Sequence, residues 1–182
     1  MTYVALLRGI NVGGKSMIEM AKLKLTFERL GFEQVKTFIN SGNVVFVADT
    51  ADYEALPQQI EVAISKDFNL DVKVVLRDLP SIEKLLRAIP DAWVNDQTTK
   101  CDVLFLWEGV DRPDILKQFS INSKIEDVRY FPGAVVWRID RKNQGKSRMT
   151  KIVGTDLYKQ ITIRNPNTVR KLYALMQAAA LA

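Results

Sequence analysis

The chain has 182 residues, 47% hydrophobic and 26% charged, a globular balance with room for one domain or two small ones. It holds no histidine and a single cysteine, Cys101, which excludes an intrachain disulfide framework, a cysteine metal cage and the Ser-His and Cys-His nucleophile pairs. The net charge of +5 is unevenly placed: residues 1–77 are balanced, whereas 141–182 carry nine basic residues against Asp156 alone, a local +8.

Residues 2–8 read as a buried strand, with Val4, Ala5, Leu6 and Leu7 consecutive and apolar. No basic segment precedes it, and no stretch approaches the ~18 apolar residues of a membrane span. The sequence therefore predicts a protein neither exported nor membrane-embedded, in the reducing cytoplasm. A Gly/Asn-rich loop follows. Ser16-Met17-Ile18-Glu19 has the spacing of a capping box, and Met20, Leu23, Phe27 and Leu30 recur at helical spacing until Gly31. Residues 35–39 and 44–47 are β-rich and joined by Asn40-Ser41-Gly42-Asn43, a hairpin turn. Tyr53, Leu56, Ile60, Ile64 and Phe68 line one side of a second helix with Pro57 in its first turn, and residues 72–77 form a fourth strand.

Asp78 is placed to cap a linker helix with Leu79, Ile82, Leu85, Leu86 and Ile89 as its buried stripe, ending near Pro90, and residues 91–100 read as an exposed connection. The order of elements then repeats. Strands are expected at 102–107, 128–131, 134–139 and 160–163, with a turn at Pro132-Gly133 and short helices near 114–119 and 149–153. A closing helix begins at Pro166 behind Asn165 and buries Val169, Leu172, Tyr173 and Met176. The expected fold is α+β: two ferredoxin-like βαββαβ units, a duplicated alpha-beta plait, over 1–77 and 101–182, with a linker helix and connection over 78–100 and a C-terminal helix.

In such a unit the strands lie in the order 4-1-3-2, so the loop after the first strand and the hairpin between the second and third leave the same end of the sheet. This brings Arg8, Asn11, Gly13, Gly14 and Lys15 to Ser41, Gly42 and Asn43. Glycine backbone N–H groups, a helix N-terminus and two full positive charges make an anion cradle there; the same glycines also suit a tight strand-to-helix turn with no ligand. The second unit gathers Lys146, Arg148, Lys151, Arg164 and Asn165 into a second expected anion-binding patch, with Arg164 able to fork onto phosphate or carboxylate.

Gly9-Ile10-Asn11-Val12-Gly13-Gly14-Lys15-Ser16 matches G-x-x-x-x-G-K-[ST] letter for letter. A hydrolysing P-loop also needs a parallel sheet and an acidic residue near magnesium. The available carboxylate, Asp49, follows the hairpin and falls at the far end of the sheet. Trp107 and Trp137 lie in apolar segments and read as core, and Cys101 as a buried, inert thiol.

At Ala5-Leu6-Leu7-Arg8-Gly9-Ile10-Asn11-Val12-Gly13-Gly14-Lys15, followed by Met20, Gly31, Val35 and Ser41-Gly42-Asn43-Val44, the sequence resembles the bacterial family known as domain of unknown function 1697. Lys151, Thr162, Arg164-Asn165, Thr168-Val169 and Lys171-Leu172 look like that family's closing motif, with Pro166 where the family usually has Trp. The resemblance implies the same duplicated architecture and no assigned activity.

The residues together lead to an expectation of a cytoplasmic protein that binds an anionic ligand, a nucleotide or a nucleic-acid strand, without catalysis, cofactor, metal or membrane. Two alternatives stand beside it. One is a phosphoryl-handling or small-molecule enzyme built on the Gly-rich loop; the other is a protein-interaction scaffold.

Overall fold

A computed structural model describes residues 1–14, 16–49 and 53–182. Compactness divides the chain into two units, Met1–Ile82 with Lys171–Ala182, and Glu83–Arg170.

The first unit runs β1 (Thr2–Leu7), α1 (Met20–Arg29), β2 (Glu33–Phe38), β3 (Asn43–Val47), α2 (Leu56–Phe68) and β4 (Val74–Asp78). Its strands pair antiparallel in the order β2-β3-β1-β4, the plait that the element order predicts. Alternation along the strands sends Tyr3, Ala5 and Leu7 of β1, Val44 and Phe46 of β3, and Val74 and Leu76 of β4 to one face. Leu23 and Phe27 of α1 and Leu56, Ile60 and Ile64 of α2 close over that face. Phe46 sits at its centre, stacked on Phe32 at 4.5 Å and edge-on to Phe27 at 5.4 Å. Val4, Leu6, Val45 and Val75 on the other face are buried too. The register shifts between Glu33 and Lys36, where Gln34 takes φ +50°, a bulge in the edge strand β2.

In the connecting helix α3 (Leu79–Ala88), Asp78 is the cap that the sequence predicts: its Oδ1 accepts the Ser81 N–H at 2.9 Å.

The second unit repeats the plan with β5 (Thr99–Leu106), β6 (Glu126–Phe131), β7 (Ala134–Asp140) and β8 (Ile161–Arg164), ordered β6-β7-β5-β8. α4 (Asp156–Lys159) leads into β8, and α5 (Pro166–Ala180) closes the chain. Leu104, Leu106, Val135, Trp137 and Ile139 form the core face with Ile115, Met149 and Ile152 from the covering segments. The helices expected at 114–119 and 149–153 are 3-10 turns, Pro113–Gln118 and Met149–Ile152. Such short runs between anchored strands tighten to i→i+3 bonding, because there is too little length to recover the nucleation of an α-helix.

Two further expectations need correction. Ser16 does not cap α1: it adopts φ +49°, whereas an N-cap is extended, and the helix starts at Met20 with Glu19 at the cap position. Residues 91–100 are not an exposed connection throughout, since Trp93 is buried with the Arg129 guanidinium 4.6 Å over its ring, and Thr99 and Lys100 already belong to β5. The division of the chain falls within α5, between Arg170 and Lys171. At ~1.5 Å per residue α5 runs about 22 Å, and its apolar spacing stays regular along that whole length.

Candidate anion-binding site

The rim of the first sheet is built by backbone conformations that few residues accept. After β1 the chain takes φ of +71° at Gly9, +55° at Asn11, +59° at Gly13, +74° at Gly14 and +49° at Ser16. Asn11 holds this loop in shape. Its N–H donates to Ser16 O at 3.1 Å, its Oδ1 accepts the Ile18 N–H at 2.7 Å, and its Nδ2 donates to Ile18 O at 3.0 Å. The same Nδ2 donates to Asn40 O at 2.9 Å, which ties the loop to the β2–β3 hairpin. Asn serves here because it tolerates the left-handed region and carries both a donor and an acceptor.

Gly42 completes the junction. Leu7 N donates to Gly42 O at 2.8 Å, and a Cβ at Gly42 would stand 2.7 Å from Leu7 Cβ and 2.8 Å from Ile10 Cδ1. Asn43 is fully buried and donates through Nδ2 to Phe38 O at 2.9 Å and to Ser41 Oγ at 3.0 Å. The structure therefore brings Arg8, Asn11, Gly13, Gly14, Ser41, Gly42 and Asn43 to one rim. Asn11, Ser41 and Asn43 hold the rim's own framework together, and Gly42 is what lets the hairpin approach β1. Gly13 and Gly14 are exposed and Arg8 is half-buried, with its N–H donating to Lys73 O at 2.9 Å. Lys15 lies outside the described residues.

A cleft of about 590 Å³ opens beside this rim. Asn11 and Asn40 form its polar wall, Met17, Met20 and Phe68 its apolar one, and Lys22 reaches it from the first turn of α1. Glu19 makes no side-chain cap on α1 and pairs instead with Lys22 at 3.0 Å. The amide end of a helix of ten residues thus borders the cleft with no side-chain hydrogen bond capping it, and with the Glu19 carboxylate drawn to Lys22. The sequence gives little sign of this cleft: Phe68 reads as a core position of α2, and only the exposed Met17 departs from the usual burial of methionine. A second groove, about 540 Å³, runs between α1 and α2, where Leu30 and Val62 meet Arg29, Lys66 and Asp67.

The carboxylate that a P-loop would need is at the other end of the sheet. Thr2 pairs with Val47, so Asp49 lies beyond the start of β1 while the Gly-rich loop leaves its end. The separation along the strand is about 17 Å at ~3.4 Å per residue.

The residues expected to form a second patch are not brought together. Arg164 pairs with Val103 and Thr162 with Phe105, on the sheet face opposite Ile161 and the Met149–Ile152 turn. There Arg164 is buried and donates from Nη1 to Thr162 Oγ1 at 3.0 Å and to Ile163 O at 2.7 Å; burial pushes its pKa down to about 10. Asn165 caps α5, its Oδ1 accepting the Thr168 N–H at 2.8 Å. Lys146, Arg148 and Lys151 stay exposed on a segment anchored where the Ser147 hydroxyl donates to Glu126 of β6. β6 and β8 are opposite edges of the sheet, three strand spacings or about 14 Å apart. Side-chain alternation along a four-residue strand decided the matter, and the sequence did not fix that register.

Among the described residues no group of three or more His, Cys, Asp and Glu is placed to hold a metal ion, and no helix is long and apolar enough to cross a membrane.

The two matching sheet orders define a protein of two repeated alpha-beta plaits. The chain belongs to the family described as Protein of unknown function (DUF1697), whose model matches residues 1–137, including the Gly-rich loop and the Ser41-Gly42-Asn43 hairpin. It is similar to the solved structure of the conserved bacterial protein SP0830 from Streptococcus pneumoniae, with a TM-score of 0.80 and 27% identity over 96% of this chain and 98% of that chain. A search of the curated proteins found no match.

Proposed function

We propose that this protein binds an anionic ligand of nucleotide size at the first unit's rim and holds it without catalysis. The observation that carries this reading is the meeting of two features at one cleft, the start of α1 without a side-chain cap and a wall of Met17, Met20 and Phe68, with the exposed backbone of Gly13 and Gly14 in the loop that leads to it. Backbone amides and a helix N-terminus favour a phosphate or carboxylate. The methionines and the phenylalanine suit a flat apolar body such as a base, with soft side chains that adapt to it. Asn40 and Asn11 lie at the edge of that wall. Glu19, the carboxylate lining the cleft, faces Lys22 in an exposed ion pair, worth ~0–1 kcal/mol and easily exchanged for a ligand anion.

The test is thermal unfolding against a panel of nucleotides and sugar phosphates, with and without magnesium. A ligand at 100 times its Kd adds ~2.7 kcal/mol of stability, and Lys22→Glu is expected to abolish that shift while leaving the unliganded transition unchanged. If no phosphorylated compound stabilises the protein, or if Lys22→Glu retains the full shift, the reading fails.

A further inference from the structure

The second unit carries a cationic strap. Between β7 and α4 the chain forms two 3-10 turns, Arg141–Lys146 and Met149–Ile152. It is fastened from below at three points. Arg141 donates from Nε to Asp96 O at 2.6 Å and from Nη2 to Asn95 Oδ1 at 3.1 Å. The Ser147 hydroxyl donates to the carboxylate of Glu126, itself only 5% exposed, and accepts the Met149 N–H at 3.1 Å. Met149 and Ile152 are inserted in the core.

Between these ties stand Lys142, Lys146, Arg148 and Lys151. All four are exposed, and none forms an ion pair with the described residues. That distinguishes them from Lys159, held by Asp156 at 2.9 Å, and from the buried Arg164. Four uncompensated cations within ten residues, on a segment fastened by Arg141, Ser147, Met149 and Ile152, present a fixed field to an extended anion. The strap begins at a cleft of about 440 Å³, where Thr98 lies beside Arg141 and Lys142.

We propose that Lys142, Lys146, Arg148 and Lys151 form a phosphate track for single-stranded nucleic acid. The amides of Asn143 and Gln144, set between the first two lysines, are the groups that bond sugars and base edges. A bilayer surface fits less well, because it calls for an apolar face beside the charge, and the strap's Met149 and Ile152 are buried. Duplex recognition calls for an element that enters a groove, whereas these turns have six and four residues. The track and the first unit's cleft share no residue, so either assignment can fail without the other.

The test is fluorescence anisotropy of a labelled oligo-dT or oligo-U of about twelve nucleotides, titrated with the full chain at several salt concentrations. Four phosphate contacts on a single strand give a log–log salt slope of about −2.8, close to a 50-fold loss of affinity between 50 and 200 mM. Replacing two cations, Lys146→Gln with Arg148→Gln, should halve that slope, while Lys159→Gln should leave slope and affinity unchanged. An unaltered thermal transition in the double variant shows that the fold is intact. Absence of binding at 50 mM salt overturns the proposal. So do an equal loss with Lys159→Gln, tighter binding to a duplex of the same length, and preference for anionic vesicles over the oligonucleotide.

Discussion

Leu106 N donates to Gly133 O at 3.0 Å, and in the other plait Leu7 N donates to Gly42 O at 2.8 Å. The last residue of each first strand thus binds the glycine of the hairpin beside it. A second tie accompanies each bond. In the first unit Asn11 reaches the hairpin at Asn40 O; in the second, Asp111 Oδ1 accepts the Gly133 N–H at 2.9 Å and the Tyr130 hydroxyl at 3.0 Å. The two halves share this joint although different residues make it.

Gly42→Ala tests how tight that joint is. A Cβ there meets Leu7 Cβ at 2.7 Å on a backbone at φ +76°, so neither space nor conformation is available. We expect a loss of about 3 kcal/mol or more in urea unfolding. Gly31→Ala, at φ +83° but with nothing within 4 Å, should lose only the conformational component, about 1 kcal/mol. Equal losses for the two variants would mean that the close approach to Leu7 contributes nothing.

The side-chain ties should be separable in the same way. Asn11→Ala removes three side-chain hydrogen bonds and places alanine in the left-handed region, an expected loss of about 2–3 kcal/mol. Asp111→Ala removes two, leaving the partly buried Tyr130 hydroxyl and Gly133 N–H to find other partners, an expected loss of about 2 kcal/mol. Chemical denaturation of each variant reads these values directly. A change below about 0.5 kcal/mol in either would show that the tie is dispensable.

Cys101 gives a prediction in pH. It is buried in β5, and burial together with the neighbouring Asp102 charge pushes its thiol up to about 12 from an ordinary 9.0. Above pH 9 the unfolded chain releases this proton while the folded chain keeps it, so the unfolded state binds fewer protons. Stability must then fall as pH rises from about 9 toward 12. The wild type should lose more stability between pH 8 and pH 10.5 than Cys101→Ala, and at pH 8 a thiol reagent should react only as fast as the chain unfolds.

The sequence made the order of elements legible because strand alternation, helical spacing and turn residues are local. Gly31, Pro57, Asp78 and Asn165 all act where that chemistry places them. Ser16 misled because a capping box is only a spacing, and the side chain of Asn11 had already closed the loop over it. The first rim was legible because plait topology alone joins its two loops. The second patch was not, because the direction of Arg164 depends on whether β8 pairs its residue 164 or 163 with Val103, a choice no local pattern records. The cationic strap was visible as composition, but only the burial of Met149 and Ile152 shows which way its charges point.

The left-handed turn at Gln34 bears on what the first sheet's open border does in a crowded solution. β2 has no neighbour on its outer side within that sheet, and such a strand ordinarily offers itself as a template to any unpaired segment that drifts past. Here the kink breaks the run of evenly spaced amides and carbonyls, and Glu33 and Lys36 stand exposed on either side of it. A visiting strand meets a ladder with a missing rung and opposite charges at the gap, so growth of the sheet into a fibre is checked where it would begin.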